Sequence, residues 1–147
     1  MKTLLFLLFL CLVITAGCGS SGSSVKDTPK TITIGSGGGF TGEYRGFTLD
    51  RTGHFTRWSS LHPKAPAIVD LFTTTPDSAA FFFRYLDEIA FTSKEFSTPG
   101  NMTTYIETDS AGTKHTVKWG NESVAAPCEF SNFYSMLTRY IARHTSR

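Results

Sequence analysis

The sequence predicts an α+β domain: an antiparallel sheet of four to five strands with two amphipathic helices packed on one of its faces. Three observations lead to that class. Segments rich in Thr, Tyr, Phe and Trp recur between short turn signals. Two segments instead repeat their apolar residues at helical spacing. Every recognisable strand connection is short enough for antiparallel pairing. With 147 residues, 40% of them hydrophobic and 13 of them Phe, the chain can bury one ordinary core but hardly two. A single domain over residues 31–147 is expected.

The domain opens with the alternating run Thr31-Ile32-Thr33-Ile34 and then the glycine-dense stretch at residues 35–42, where five of eight residues are Gly. A run this dense suggests a tight turn, a close backbone approach, or a loop that presents its N–H groups to a partner. Phe40, an apolar side chain flanked by glycines, is either a plug into its own core or an anchor for another protein, and it shifts the reading toward partner contact. The candidate contact residues are therefore Gly37, Gly38, Gly39, Phe40, Thr41 and Gly42.

Residues 43–50 carry Tyr44, Phe47, Thr48 and Leu49 and read as a strand. Asp50-Arg51-Thr52-Gly53 has the Asp and Gly positions of a type I hairpin turn. Residues 54–61 return as the next strand, with His54, Thr56, Trp58 and Ser60 on one face and Phe55, Arg57, Ser59 and Leu61 on the other. Neither face is cleanly apolar, so the buried one stays open. Pro63 and Pro66 break the pattern, and residues 67–72 form a short extended piece.

Thr75-Pro76-Asp77 is a helix start: a capping hydroxyl, a residue preset for the first turn, and a carboxylate at the positive end of the dipole. Ala79, Phe82, Phe83, Leu86, Ile89 and Ala90 then share its core-facing side. Ser97-Thr98-Pro99-Gly100 reads as a turn. Residues 102–108 and 113–119 form a strand pair closed by Asp109-Ser110-Ala111-Gly112. Pro127 and Glu129 introduce a last helix, with Phe130, Phe133, Tyr134, Leu137, Tyr140 and Ile141 on one face. The sheet face away from the helices is expected to be open, with Trp58, Tyr105 or Trp119 on it, and an exposed aromatic face marks a partner surface.

The address is written in the first residues. Lys2 and the apolar run at residues 4–14 have the plan of a signal peptide, too short for a permanent membrane span. Thr15-Ala16-Gly17-Cys18 resembles the lipobox of bacterial lipoproteins, although Thr15 replaces the usual leucine. The resemblance implies a signal over residues 1–17, fatty acyl chains such as palmitate on Cys18, and a cell-envelope location. Gly19 and Ser20 carry no aspartate of the kind that implies inner-membrane retention in enterobacterial lipoproteins, which favours the outer membrane. Ordinary secretory cleavage after Ala16 is the competing reading. Residues 18–30 are rich in Gly and Ser and read as a flexible tether, of which a dozen residues reach roughly 20 Å. With Cys18 lipidated, Cys128 is expected to be a buried, inert thiol; without lipid, a Cys18–Cys128 disulfide competes.

No enzyme is expected. His54, His62, His115 and His144 match no metal-binding spacing, although His54 and His115 would meet if their strands were neighbours. Cys128 beside Glu129 follows no nucleophile elbow, and no carboxylate pair stands out. The glycine run lacks the Lys-Ser ending of a phosphate loop and precedes a strand, which excludes nucleotide. A net charge of +2 and scattered basic residues, loosely grouped only at Arg139, Arg143 and Arg147, exclude a nucleic-acid surface. No cofactor or metal is expected.

Ser36-Gly37-Gly38-Gly39-Phe40-Thr41-Gly42, followed by a hairpin, a helix, a strand pair containing Tyr105 and a closing helix, resembles the emfourin family of small bacterial proteins over most of residues 32–143. The named member of that family inhibits thermolysin-like zinc metallopeptidases. The resemblance implies non-catalytic binding to such a peptidase by a domain tethered at a membrane. A structural lipoprotein of an envelope assembly is the alternative, and a small envelope enzyme using Cys128 or a histidine is a further one.

Overall fold

The computed structural model describes residues 29–61 and 65–146. Cys18, the signal segment and all of the tether up to residue 28 lie outside them, as do His62 and Arg147. The fold is α+β, with one sheet of seven strands rather than four to five: β1 (Thr31–Gly38), β2 (Glu43–Asp50), β3 (His54–Leu61), β4 (Ala67–Thr73), β5 (Ser97–Thr98), β6 (Met102–Ser110) and β7 (Thr113–Trp119). Helix α1 (Pro76–Glu88) follows β4, and α2 (Cys128–Thr145) closes the chain. The strands lie in the order β4-β3-β2-β1-β6-β7-β5. All neighbours are antiparallel except β5 and β7, so the sheet is mixed.

Two of the additional strands were written in sequence as something else. The glycine run does not interrupt the chain: β1 continues through Gly35, Gly37 and Gly38, paired on both sides. The turn expected at residues 97–100 instead contributes β5, whose Ser97 and Thr98 run parallel to Lys118 and Trp119.

One core joins the sheet to both helices. Ile32, Ile34, Leu49, Phe55, Ile106 and Val117 share a sheet face and meet Phe82, Phe83 and Leu86 of α1 and Phe130, Phe133 and Leu137 of α2. Phe55 is fully buried, so its face of β3 is the inner one, and the face bearing Trp58 is the outer one. Each of these Phe side chains contributes on the order of 2–3 kcal/mol by leaving water. Trp119 departs from expectation. It has the same parity as Val117 and packs edge-on against Tyr134 of α2, centroids 5.8 Å apart, so it belongs to the helix side.

Local chemistry sets the ends. Thr75 Oγ1 accepts from the Ser78 amide at 3.3 Å and Pro76 is the first residue of α1. Ala90 was expected on the core face, but it is exposed and left-handed at φ 52°, where it stops the helix. At the entrance, Pro29 and Lys30 are held rather than loose: Arg51 Nε donates to the Pro29 carbonyl at 2.6 Å, and the Lys30 amide donates to the Asp109 carbonyl at 2.7 Å.

Candidate functional site

The outer face of the sheet is built around two glycines. Register places Trp58 of β3, Gly46 of β2, Gly35 of β1 and Tyr105 of β6 in one row across four adjacent strands. A Cβ on Gly35 would stand 2.8 Å from Tyr105 Cζ and 2.9 Å from Trp58 Cζ2; one on Gly46 would stand 2.8 Å from the same Trp58 atom. The two rings therefore reach toward each other over bare backbone, with centroids 6.2 Å apart and planes inclined by 34°. Glycine at these positions makes room for the rings, which is a close-approach role and not a turn role.

Two polar groups on these rings are unusual. Trp58 Nε1 is buried and meets no acceptor among the described residues, a state that costs about 1–3 kcal/mol. Burial, and after it the nearby Glu107 charge, push the Tyr105 phenol far above its ordinary value, so it stays a neutral hydroxyl.

The ring pair separates two hollows. One, of about 370 Å³, is lined by Trp58, Thr33, Thr48, Thr56 and Ile68 among others. The second, of about 440 Å³, is lined by Tyr44, Ser97, Thr103, Thr116 and Lys118. Tyr105 and Glu107 border both. Glu107 is already engaged: Lys114 Nζ donates to Oε1 at 2.8 Å and Thr116 Oγ1 to Oε2 at 3.1 Å. The bond to Glu107 in turn raises the Lys114 ammonium above its usual value. Lys118, one strand over from Tyr105, makes no ion pair among the described residues.

The second candidate is the β1–β2 tip. Gly39 and Gly42 have φ of 64° and 63°, and the Gly42 amide donates to the Gly39 carbonyl at 3.3 Å. The turn they form carries Phe40 wholly in solvent, at 107% relative exposure. Of the amides in the turn, that of Gly39 is taken up by the Asn101 carbonyl at 2.6 Å and that of Gly42 by the Gly39 carbonyl. What the tip presents is a side chain. Gly37 and Gly38 lie in the ladder below it, against Tyr44 and Asn101. Thr41 Oγ1 accepts from the Glu43 amide at 3.3 Å. Pairing brings Leu61, 43% exposed, and Met102, 56% exposed, to the same end of the sheet.

The residues weighed for chemistry are dispersed. Cys128 is exposed at the first turn of α2, its Sγ 3.6 Å from Glu129 Oε2, and not buried as expected. His54 and His115 do not meet: β2, β1 and β6 lie between their strands. His54 bonds Asp70 at 3.0 Å, His115 bonds the Lys94 carbonyl at 2.9 Å, and His144 bonds the Tyr140 carbonyl at 2.8 Å. Among the described residues no three His, Cys, Asp or Glu side chains gather as a metal site, and no helix is long and apolar enough to cross a membrane.

No protein-family model and no curated protein matches this chain. Function has to be argued from the two surfaces themselves. The Trp58–Tyr105 pair could be found in sequence as an expectation of aromatics on an open face. The engagement of Glu107 by Lys114 and Thr116 was missed, although the alternating strands 102–108 and 113–119 already put all three on one side.

Proposed function

We propose that the chain is a membrane-anchored lipoprotein of a bacterial cell envelope, lipidated on Cys18, whose domain is a non-catalytic binding module. The observation that carries the binding reading is Phe40, an aromatic side chain entirely in water at the apex of a glycine turn. Such a residue gains most when a partner pocket covers it, and Leu61 and Met102 extend the apolar area around it. The resemblance of residues 36–42 to the emfourins supports a thermolysin-like metallopeptidase as the partner and inhibition as the outcome. Another envelope protein is the alternative occupant. The Thr15–Cys18 segment supports the anchor, with the outer membrane as its favoured site; two or more acyl chains give stable attachment.

Titrating the purified protein against a panel of thermolysin-like peptidases tests this. Turnover of at least one is expected to fall at stoichiometric ratios, and Phe40→Ser to weaken inhibition by roughly thirtyfold, the size of a 2 kcal/mol anchor. Unchanged turnover at excess removes the inhibitor reading. Mass spectrometry of the native protein checks the anchor: acyl chains on Cys18 support it, and an unmodified thiol rejects it.

A further inference from the structure

We propose that the outer face of the sheet binds an acidic glycan, with a pyranose ring seated on the Trp58–Tyr105 pair and a sugar carboxylate held at Lys118. This site is separate from the β1–β2 tip and does not depend on Phe40.

The first support is the shape of the aromatic surface. Gly35 and Gly46 remove every side chain beneath the two rings, which lean over bare backbone at only 34° to each other. A saturated sugar ring has an apolar C–H face and a rim of hydroxyls, so it suits a broad aromatic surface with polar neighbours better than a deep apolar cavity. The polar neighbours are of the matching kind. Thr33, Thr48 and Thr56 line one hollow, and Thr103 and Thr116 the other. Thr33 and Thr48 bond to each other, and Thr103 and Thr116 donate to the Gly100 carbonyl and to Glu107, so these oxygens keep lone pairs that can accept from the hydroxyls of a sugar.

Charge selects the acidic class. Glu107 lies between the hollows, but Lys114 and Thr116 occupy its oxygens, so it presents little free negative charge. Lys118 lines the second hollow beside Tyr105 and has no carboxylate of the described residues paired with it. A carboxylate on the ligand completes that pair. The dimension also suits a chain: from Trp58 on β3 to Lys118 on β7 is four strand spacings, roughly 19 Å. One free lysine is too little cation to track a phosphate backbone. A peptide adding a strand would seek a sheet edge instead of this paired face.

The chain's two tryptophans lie on opposite sides of the sheet, which gives a direct readout. In the full chain carrying Trp119→Phe, emission reports Trp58 alone. Titration with an oligogalacturonate is expected to change that emission saturably. An uncharged cello-oligosaccharide of equal length is expected to bind about tenfold more weakly, the factor for 1.4 kcal/mol. Lys118→Met should remove that preference, lowering the affinity for the oligogalacturonate to that for the cello-oligosaccharide. By isothermal titration, Trp58→Ala should abolish oligogalacturonate binding. Tyr105→Phe should retain it within about threefold, because its ring stays. Lys118 is exposed, so its variant remains informative even if Trp58→Ala fails to fold. No saturable response overturns the proposal. So does equal affinity for the neutral oligosaccharide, or equal affinity for poly-glutamate, which would assign the face to acidic peptides.

Discussion

Asp50 shows how much one side chain can organise. Its Oδ1 accepts from the Thr52 amide at 2.8 Å, the Thr52 hydroxyl at 2.6 Å and the His54 amide at 3.0 Å, closing the β2–β3 turn. Burial works to raise its pKa, but the Thr52 hydroxyl and the His54 and Thr52 amides outweigh it and hold the carboxyl below the usual range. A carboxyl lowered on folding stabilises the fold above its unfolded pKa, and that contribution disappears as pH falls through the folded value. Asp50→Ala is therefore expected to lower stability by about 1–2 kcal/mol at neutral pH and by less at pH 3, read from urea unfolding at both. Ala111 makes the opposite case. It sits at φ 53° in the two-residue β6–β7 loop, followed by Gly112 at φ 92°. An Asn-Gly pair suits such a loop, so Ala111→Asn should raise stability by about 0.5–1 kcal/mol in thermal unfolding.

Among the elements, α1 separates three successive phenylalanines by geometry alone. Phe82 and Phe83 are buried at 2% and 3% exposure, while Phe81 is 40% exposed beside Tyr85. Phe82→Ala should cost about 3–5 kcal/mol and Phe81→Ala less than about 1, compared by chemical denaturation. The helices were legible because their signals are local: Thr75 and Pro76 mark the start, and the 3.6-residue spacing marks the buried face. The continuation of β1 was not legible, since glycine ordinarily weakens a strand. Its reason lies in Tyr44, Trp58 and Tyr105, which are distant in the chain and arrive only with the register. The two-residue β5 has no period to read, because its pairing comes from β7. For Trp119 a signal did exist, in its shared parity with buried Val117.

For the whole molecule, the division of labour between the two sheet faces depends on close backbone approach. A Cβ on Gly46 would lie 2.0 Å from the Ile34 carbonyl oxygen and 2.7 Å from Gly35 Cα, atoms that cannot move without opening the β1–β2 ladder. Gly46→Ala is accordingly expected to lower the unfolding midpoint sharply. Gly35→Ala meets the ends of the Tyr105 and Trp58 side chains instead, which can swing away. It should leave the far-ultraviolet circular dichroism intact while disturbing the aromatic near-ultraviolet bands. The fold class and the existence of an aromatic outer face were legible in the sequence. The apposition of those aromatics over Gly35 and Gly46 was not, because it is a property of four strands at once.

The lateral rim formed by β4 has a practical meaning of its own. It ends the sheet on one side, and Ile68 and Val69 along it are 66% and 47% exposed. A hydrophobic border of this sort is a template on which further copies can stack, edge to edge. Sedimentation experiments are expected to show self-association that increases with protein concentration. Val69→Lys, placing a cation on the border, should keep the material monodisperse.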